Sequence, residues 1–196
     1  MTNHSIALSL GARARSCLAA IACVFSLSAA ADAPAPEHAE AVFETRFMEG
    51  MIDHHAMAVE MSEDCVAKAV HEELRTLCRQ IITAQQAENV DMQTWLQTWY
   101  DSSYQPEMTP GSMQRMEKLA SLAGAEYEIR FLELMIRHHR MAVIEGARCM
   151  ERAYHPELIG LCENIVASQA EEIRLMRSWL CEWYGECKPR ERRMRG

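Results

Sequence analysis

Hydrophobic positions recur at helical spacing along most of this chain, and the pattern is written twice. Cys78, Ile81, Gln85, Glu88, Met92, Trp95 and Trp99 follow alternating steps of three and four, the seam of a heptad helix. Cys162, Ile165, Gln169, Glu172, Met176, Trp179 and Trp183 repeat it position for position. An outgoing stripe precedes the first seam: Phe47, Met51, Ala58 and Cys65, with Glu44, His54 and His55 on the same face. A tight turn is expected at Val70 to Glu73. The second copy has Tyr154, His155, Pro156 and Glu157 there, and Pro156 suits a first helical position. Each unit therefore reads as a long helical hairpin.

The two hairpins are copies. Phe43 to Asp101 aligns on Tyr127 to Gly185 without a gap at an offset of 84, with 26 of 59 positions identical. Between them Ser102 to Gly111 is a linker broken by Pro106 and Pro110. Thr109 and Pro110 suit the cap and first residue of a short helix through Leu122, which Gly124 ends. No stretch has strand character. The expected fold is all-α: a four-helix bundle made of two duplicated helical hairpins, joined by a crossover with a short helix. The divisions are a leader at 1–31, a flexible lead-in at 32–41 and the bundle at 42–185. Within the bundle, repeat one is 43–101, the linker 102–126 and repeat two 127–185. A basic tail, 186–196, follows.

Residues 1–31 read as a secretory signal, with Arg13 and Arg15 ahead of an apolar run from Cys17 to Leu27 and a small-residue site at Ala29 to Ala31. The run is too short for stable membrane insertion. Cleavage near Ala31 removes two arginines and no acid, taking the formal charge from −8 to −10. An acidic exported chain is a poor nucleic-acid binder, and a periplasmic or secreted location is expected. Six cysteines remain. Cys65 with Cys78 and Cys149 with Cys162 flank the two turns, so disulfides are the natural reading in an oxidising compartment. Each would contribute on the order of 3 kcal/mol. Cys181 and Cys187 offer a third bridge, and soft-metal ligation by these thiols is the rival reading.

If Cys65 faces Cys78, the hairpin register follows. His55 falls level with Glu88, Ala58 with Gln85 and Met51 with Met92. In the second unit His139 falls level with Glu172, and Met135 with Met176. A polar layer thus meets the histidines, with a methionine layer beside it. Burying imidazole and carboxylate is unfavourable by several kcal/mol unless they pair or bind something. One solution is a structural His–Glu–Gln network holding the register. The other is a metal site, since thioether beside imidazole selects Cu(I) or Ag(I), and Met48, Met57 and Met61 add sulfur nearby. A ferritin-like di-metal redox centre fits less well, because it needs about four carboxylates and two Glu-x-x-His motifs. Here Glu44 and Glu128 lie about three turns from the histidines, level with Trp99 and Trp183. No Ser-His-Asp set, phosphate loop or His-Glu-x-x-His motif is present, so no catalytic residue is expected. His71 and His155, at the turns, are expected to face solvent.

Met51, Ile52, His54 and His55, followed by Gln85, Glu88, Met92, Trp95 and Leu96, stand again in the second copy. Together they resemble the bacterial family called "domain of unknown function 305", over roughly Val42 to Tyr184. The resemblance implies a ferritin-like helical bundle, frequently exported, of which some members bind Cu(I) or Ag(I). Carried onto this chain, it implies Met51, His54, His55 and Met92 as ligands in one copy. Met135, His138, His139 and Met176 are their counterparts, with Gln85, Glu88, Gln169 and Glu172 behind them. The proline common before the family's histidines is replaced by Asp53 and Arg137. The implied activity is copper binding, buffering or delivery without turnover, with a metal ion and another periplasmic metal carrier as partners.

Overall fold

The computed structural model describes residues 32–187; the expected leader and Lys188 to Gly196 of the tail lie outside the described residues. Five helices follow in order: α1 (His38–Lys68), α2 (Glu72–Tyr100), α3 (Pro110–Ala120), α4 (Gly124–Arg152) and α5 (Pro156–Tyr184). No strand occurs among the described residues. The architecture is the duplicated four-helix bundle the pattern predicts, α1 and α2 forming one hairpin and α4 and α5 the other.

Local chemistry sets the ends. Asp101 (φ 49°) and Gly185 (φ 71°) occupy equivalent positions and close α2 and α5 in the left-handed conformation that ends many helices. Thr109 accepts a hydrogen bond from the Ser112 amide at 3.2 Å, with Pro110 opening α3. Gly124 does not end that helix, because α3 has already closed at Ser121. Its φ of +59° instead starts α4.

The disulfides Cys65–Cys78 and Cys149–Cys162 cross the hairpins with Cα separations of 6.2 and 6.1 Å, and Cys181–Cys187 ties the end of α5 to the residues after it. All six cysteines are thereby consumed, which removes the rival reading of thiols as metal ligands. Gly146 lets α4 approach α5, since a Cβ there would meet Val166 Cγ2 at 2.9 Å and the Cys162 carbonyl at 3.3 Å.

The hairpins dock through α1 and α4, which run antiparallel. One apolar core joins the start of α1 and end of α2 (Phe47, Ile52, Met92, Leu96) to Ala142, Cys149, Leu158 and Ile165. The other joins Ala58, Met61, Leu74 and Ile81 to Tyr127, Phe131, Met135 and Met176. The histidine layer lies between the two cores. No described helix is long and apolar enough to cross a membrane.

Each end of the dock is latched by a carboxylate. Glu44 Oε1 accepts from the Tyr154 and His155 amides at 2.6 and 2.9 Å, and Oε2 meets His155 Nδ1 at 2.6 Å and the Tyr100 hydroxyl at 2.5 Å. Glu128 does the same for the other turn, accepting from Val70 and His71 amides at 2.6 and 2.9 Å, with His71 Nδ1 at 2.7 Å and the Tyr184 hydroxyl alongside. These carboxylates satisfy the orphan amides at the starts of α5 and α2, where no local side chain caps the helix. The expectation that both histidines face solvent is therefore wrong for His155 and holds only in part for His71. His155 is 1% exposed and stacks on Trp99 at 3.8 Å, while half-buried His71 stacks on Trp183 at 3.9 Å.

The crossover follows the second half of α1. Asp53 accepts from the Tyr104 hydroxyl at 2.9 Å and the Glu107 amide at 2.7 Å, and Lys68 donates to the Ala120 carbonyl.

Candidate metal centre

Within each hairpin the histidine and carboxylate meet as the cysteine register predicts. His55 Nε2 lies 2.7 Å from Glu88 Oε2, at an angle poor for a hydrogen bond, and His139 Nε2 hydrogen-bonds Glu172 Oε2 at 2.5 Å. Between hairpins, α1 and α4 bring His54 onto His138. The rings stack at 3.5 Å between centroids and 29° between planes, and His54 Nε2 donates to the His138 carbonyl at 3.0 Å. That donation places the His54 proton on Nε2 and leaves Nδ1 with its lone pair. Nδ1 of all four histidines, and Nε2 of His55 and His138, are buried without a hydrogen-bond partner.

Burial, reinforced by the charge of His55, pushes the His54 pKa down to about 3, against a smaller upward pull from the His138 carbonyl. Burial also holds His138 well below its ordinary value, with His54, His139 and His55 adding to the effect. Both rings are therefore neutral near pH 7, the state in which imidazole ligates a metal. Their companions His55 and His139, fully buried, face carboxylates through Nε2. A ligating histidine is commonly oriented in this way by an outer carboxylate or carbonyl.

The stacked pair forms part of a cleft of about 450 Å³. Met57 and Met141, one turn beyond His54 and His138 on the same helix faces, line it, and Met108 of the linker does too. Arg115, Arg130 and Arg137 stand against Asp53 and Glu107 around it, so its field is close to balanced. Among the described residues no three His, Cys, Asp or Glu side chains converge in a way that could hold a metal ion. The donor set available is nitrogen with thioether sulfur.

The family model for "Domain of unknown function (DUF305)" matches residues 44–180. This chain belongs to the DUF305 family. No curated protein sequence matches it. Among solved structures, CopM in its Cu(I)-bound form is 33% identical, with a TM-score of 0.66 over 72% of this chain and 98% of CopM. CopM has also been solved in Ag-bound, Cu(II)-bound and apo forms. A DUF305 protein from Streptomyces coelicolor is 30% identical, with a TM-score of 0.65 over 76% of this chain and 98% of its own. A DUF305 fragment from Deinococcus radiodurans is 27% identical, with a TM-score of 0.62, covering 70% and 95%.

In this DUF305 chain the methionines read as ligands divide between the two cores. Met51 and Met92 pack in one, Met135 and Met176 in the other, all at 3% exposure or less. Gln85 and Gln169 are buried nearby with side-chain atoms unpartnered. The histidines of the two copies, named above copy by copy, meet at one seam. Met141 is the residue that the sequence reading missed. Its signal was present, since Met57 and Met141 are identical across the repeat three positions after His54 and His138.

Proposed function

We propose that this chain is an exported copper-binding protein that takes up Cu(I) or Ag(I) and buffers or carries it without catalytic turnover. The observation that carries this reading is the meeting of His54 and His138, neutral and with unpartnered nitrogens, in a cleft that Met57 and Met141 line. Thioether with imidazole suits soft monovalent copper and silver. Likeness to CopM, itself solved with copper and silver, supports it. The proposed ligands are His54 and His138, with His55 and His139 beside them. Met51, Met92, Met135 and Met176 flank these from the two cores, and Met57 and Met141 from the cleft. Glu88 and Glu172 orient the rings of His55 and His139, with Gln85 and Gln169 buried nearby. Because His54 and His138 lie face to face, joint ligation of one ion requires a turn about their side-chain torsions. Three disulfides and the signal-like leader support a periplasmic or secreted location.

The test is Cu(I) uptake by the mature protein against a competing chelator. Wild type should bind. His54→Ala/His55→Ala/His138→Ala/His139→Ala should lose most uptake while remaining helical by circular dichroism. Indifference of the wild type to both Cu(I) and Ag(I) overturns the proposal.

A metal-free structural bundle is the second reading, favoured by the His55–Glu88 and His139–Glu172 pairs. It expects a crystal soaked in copper to keep His54 and His138 stacked with no metal peak. A carboxylate-rich di-metal redox centre has less support, because Glu44 and Glu128 are engaged at opposite ends of the dock.

A further inference from the structure

A second cleft, of about 400 Å³, lies between α1 and α3. Four methionines line it: Met61 from α1, and Met108, Met113 and Met116 from the linker and its helix. Met108 also lines the histidine cleft, so the two clefts share one thioether. The linker has no counterpart in the repeat, yet it places three methionines within nine residues.

Packing accounts for some of these side chains but not all. Met61 is 2% exposed and Met116 rests on the core, as gap-filling methionines do. Met113 is 48% exposed and fills nothing. Glu60, Asp64 and Glu117 line the same cleft; Asp64 is paired with Lys68 at 2.9 Å, and Glu60 and Glu117 leave an acidic field that draws cations, unlike the balanced histidine cleft. With all six cysteines of the described chain in disulfides, methionine is the remaining soft donor.

We infer that this cleft is a second, peripheral site for a soft monovalent cation, Cu(I) or Ag(I), held by the thioethers of Met61, Met113 and Met116. Met108 bridges it to the histidine cleft. The inference rests on the copper reading above and gives it an entry point. The acidic rim collects the cation, the thioethers hold it loosely, and Met108 passes it inward.

Silver, which does not change oxidation state here, is the probe. Mature, disulfide-intact protein labelled with 13C at its methionine methyls is titrated with Ag(I) and followed by NMR, with stoichiometry read by native mass spectrometry. Wild type should bind two Ag(I), and the Met61, Met113 and Met116 methyls should shift. Met113→Leu/Met116→Leu, which nearly conserves volume, should bind one and keep the histidine-dependent ion. His54→Ala/His138→Ala should keep the shifts of Met113 and Met116. Met108→Leu should still bind two ions but load the histidine site about tenfold more slowly, a barrier increase of about 1.4 kcal/mol. Silver uptake with unmoved Met113 and Met116 methyls overturns this inference and leaves the copper reading standing. No silver uptake at all overturns both. The wild-type spectrum decides the matter even if a variant fails to fold.

Discussion

His54 is the residue at which the two copies meet, and its suppressed protonation has a measurable consequence. An imidazole in the unfolded chain titrates near 6.5, whereas burial and His55 hold folded His54 to about 3, and His138 is also depressed. Between those values the unfolded state binds protons that the folded state refuses. Stability is therefore full above about pH 6.5 and falls as pH drops toward 3. Glu44 and Glu128 act lower. Burial raises their pKa values, but hydrogen bonds from Tyr100 and His155, or Tyr184 and His71, outweigh it and leave both depressed. Their contribution is lost only as pH falls below about 4.5. The metal-free protein should thus melt at steadily lower temperature from pH 6.5 to 4.5, and His54→Gln/His138→Gln should flatten that slope. Equal slopes in the two proteins would show that these rings do not govern it.

At the scale of elements, the carboxylate latches and the disulfides have separate duties. Removing the Glu44 side chain strands two amides and Nδ1 of His155, which is 1% exposed. Glu128 serves His71, whose side chain is 34% exposed and can turn to water. Glu44→Ala should therefore destabilise by on the order of 3 kcal/mol, and Glu128→Ala by less. Urea unfolding of both variants measures the difference, and a reversed order would contradict the account. Cys65→Ser/Cys78→Ser should lower stability by about 2–4 kcal/mol. The proposed copper affinity should change only modestly, because Glu88 and the docked α4 still hold the histidine layer. Chelator competition checks the second half, and a collapse in affinity would mean that the bridge itself sets the ligand geometry.

At the scale of the molecule, the seam makes the proposed copper centre a shared property of both hairpins. If one ion is held by rings from both copies, His54→Ala and His138→Ala should each abolish most of the tight uptake. The double variant should then be little worse than either, a strong departure from additivity. Two independent sites, one for each copy's ligand set, would instead give half-loss in each single variant. Titration of the three proteins against one chelator separates the outcomes.

Much of this was legible in the residues. The 84-residue repeat and its three–four spacing determined the hairpins, and the paired cysteines determined their register, because a crosslink marks which positions face each other. Hence His55 opposite Glu88 and His139 opposite Glu172 could be read directly. The docking of hairpin on hairpin carries no such covalent mark. A stripe of apolar residues states that a face is buried and is silent on which neighbour buries it. Only the tertiary structure therefore decided that α1 meets α4, that His54 stacks on His138, and that Glu44 and Glu128 reach across to turns more than fifty residues away. The linker's course was equally hidden: it follows hydrogen bonds from Tyr104 and Glu107 to Asp53, contacts remote in sequence that no local pattern encodes.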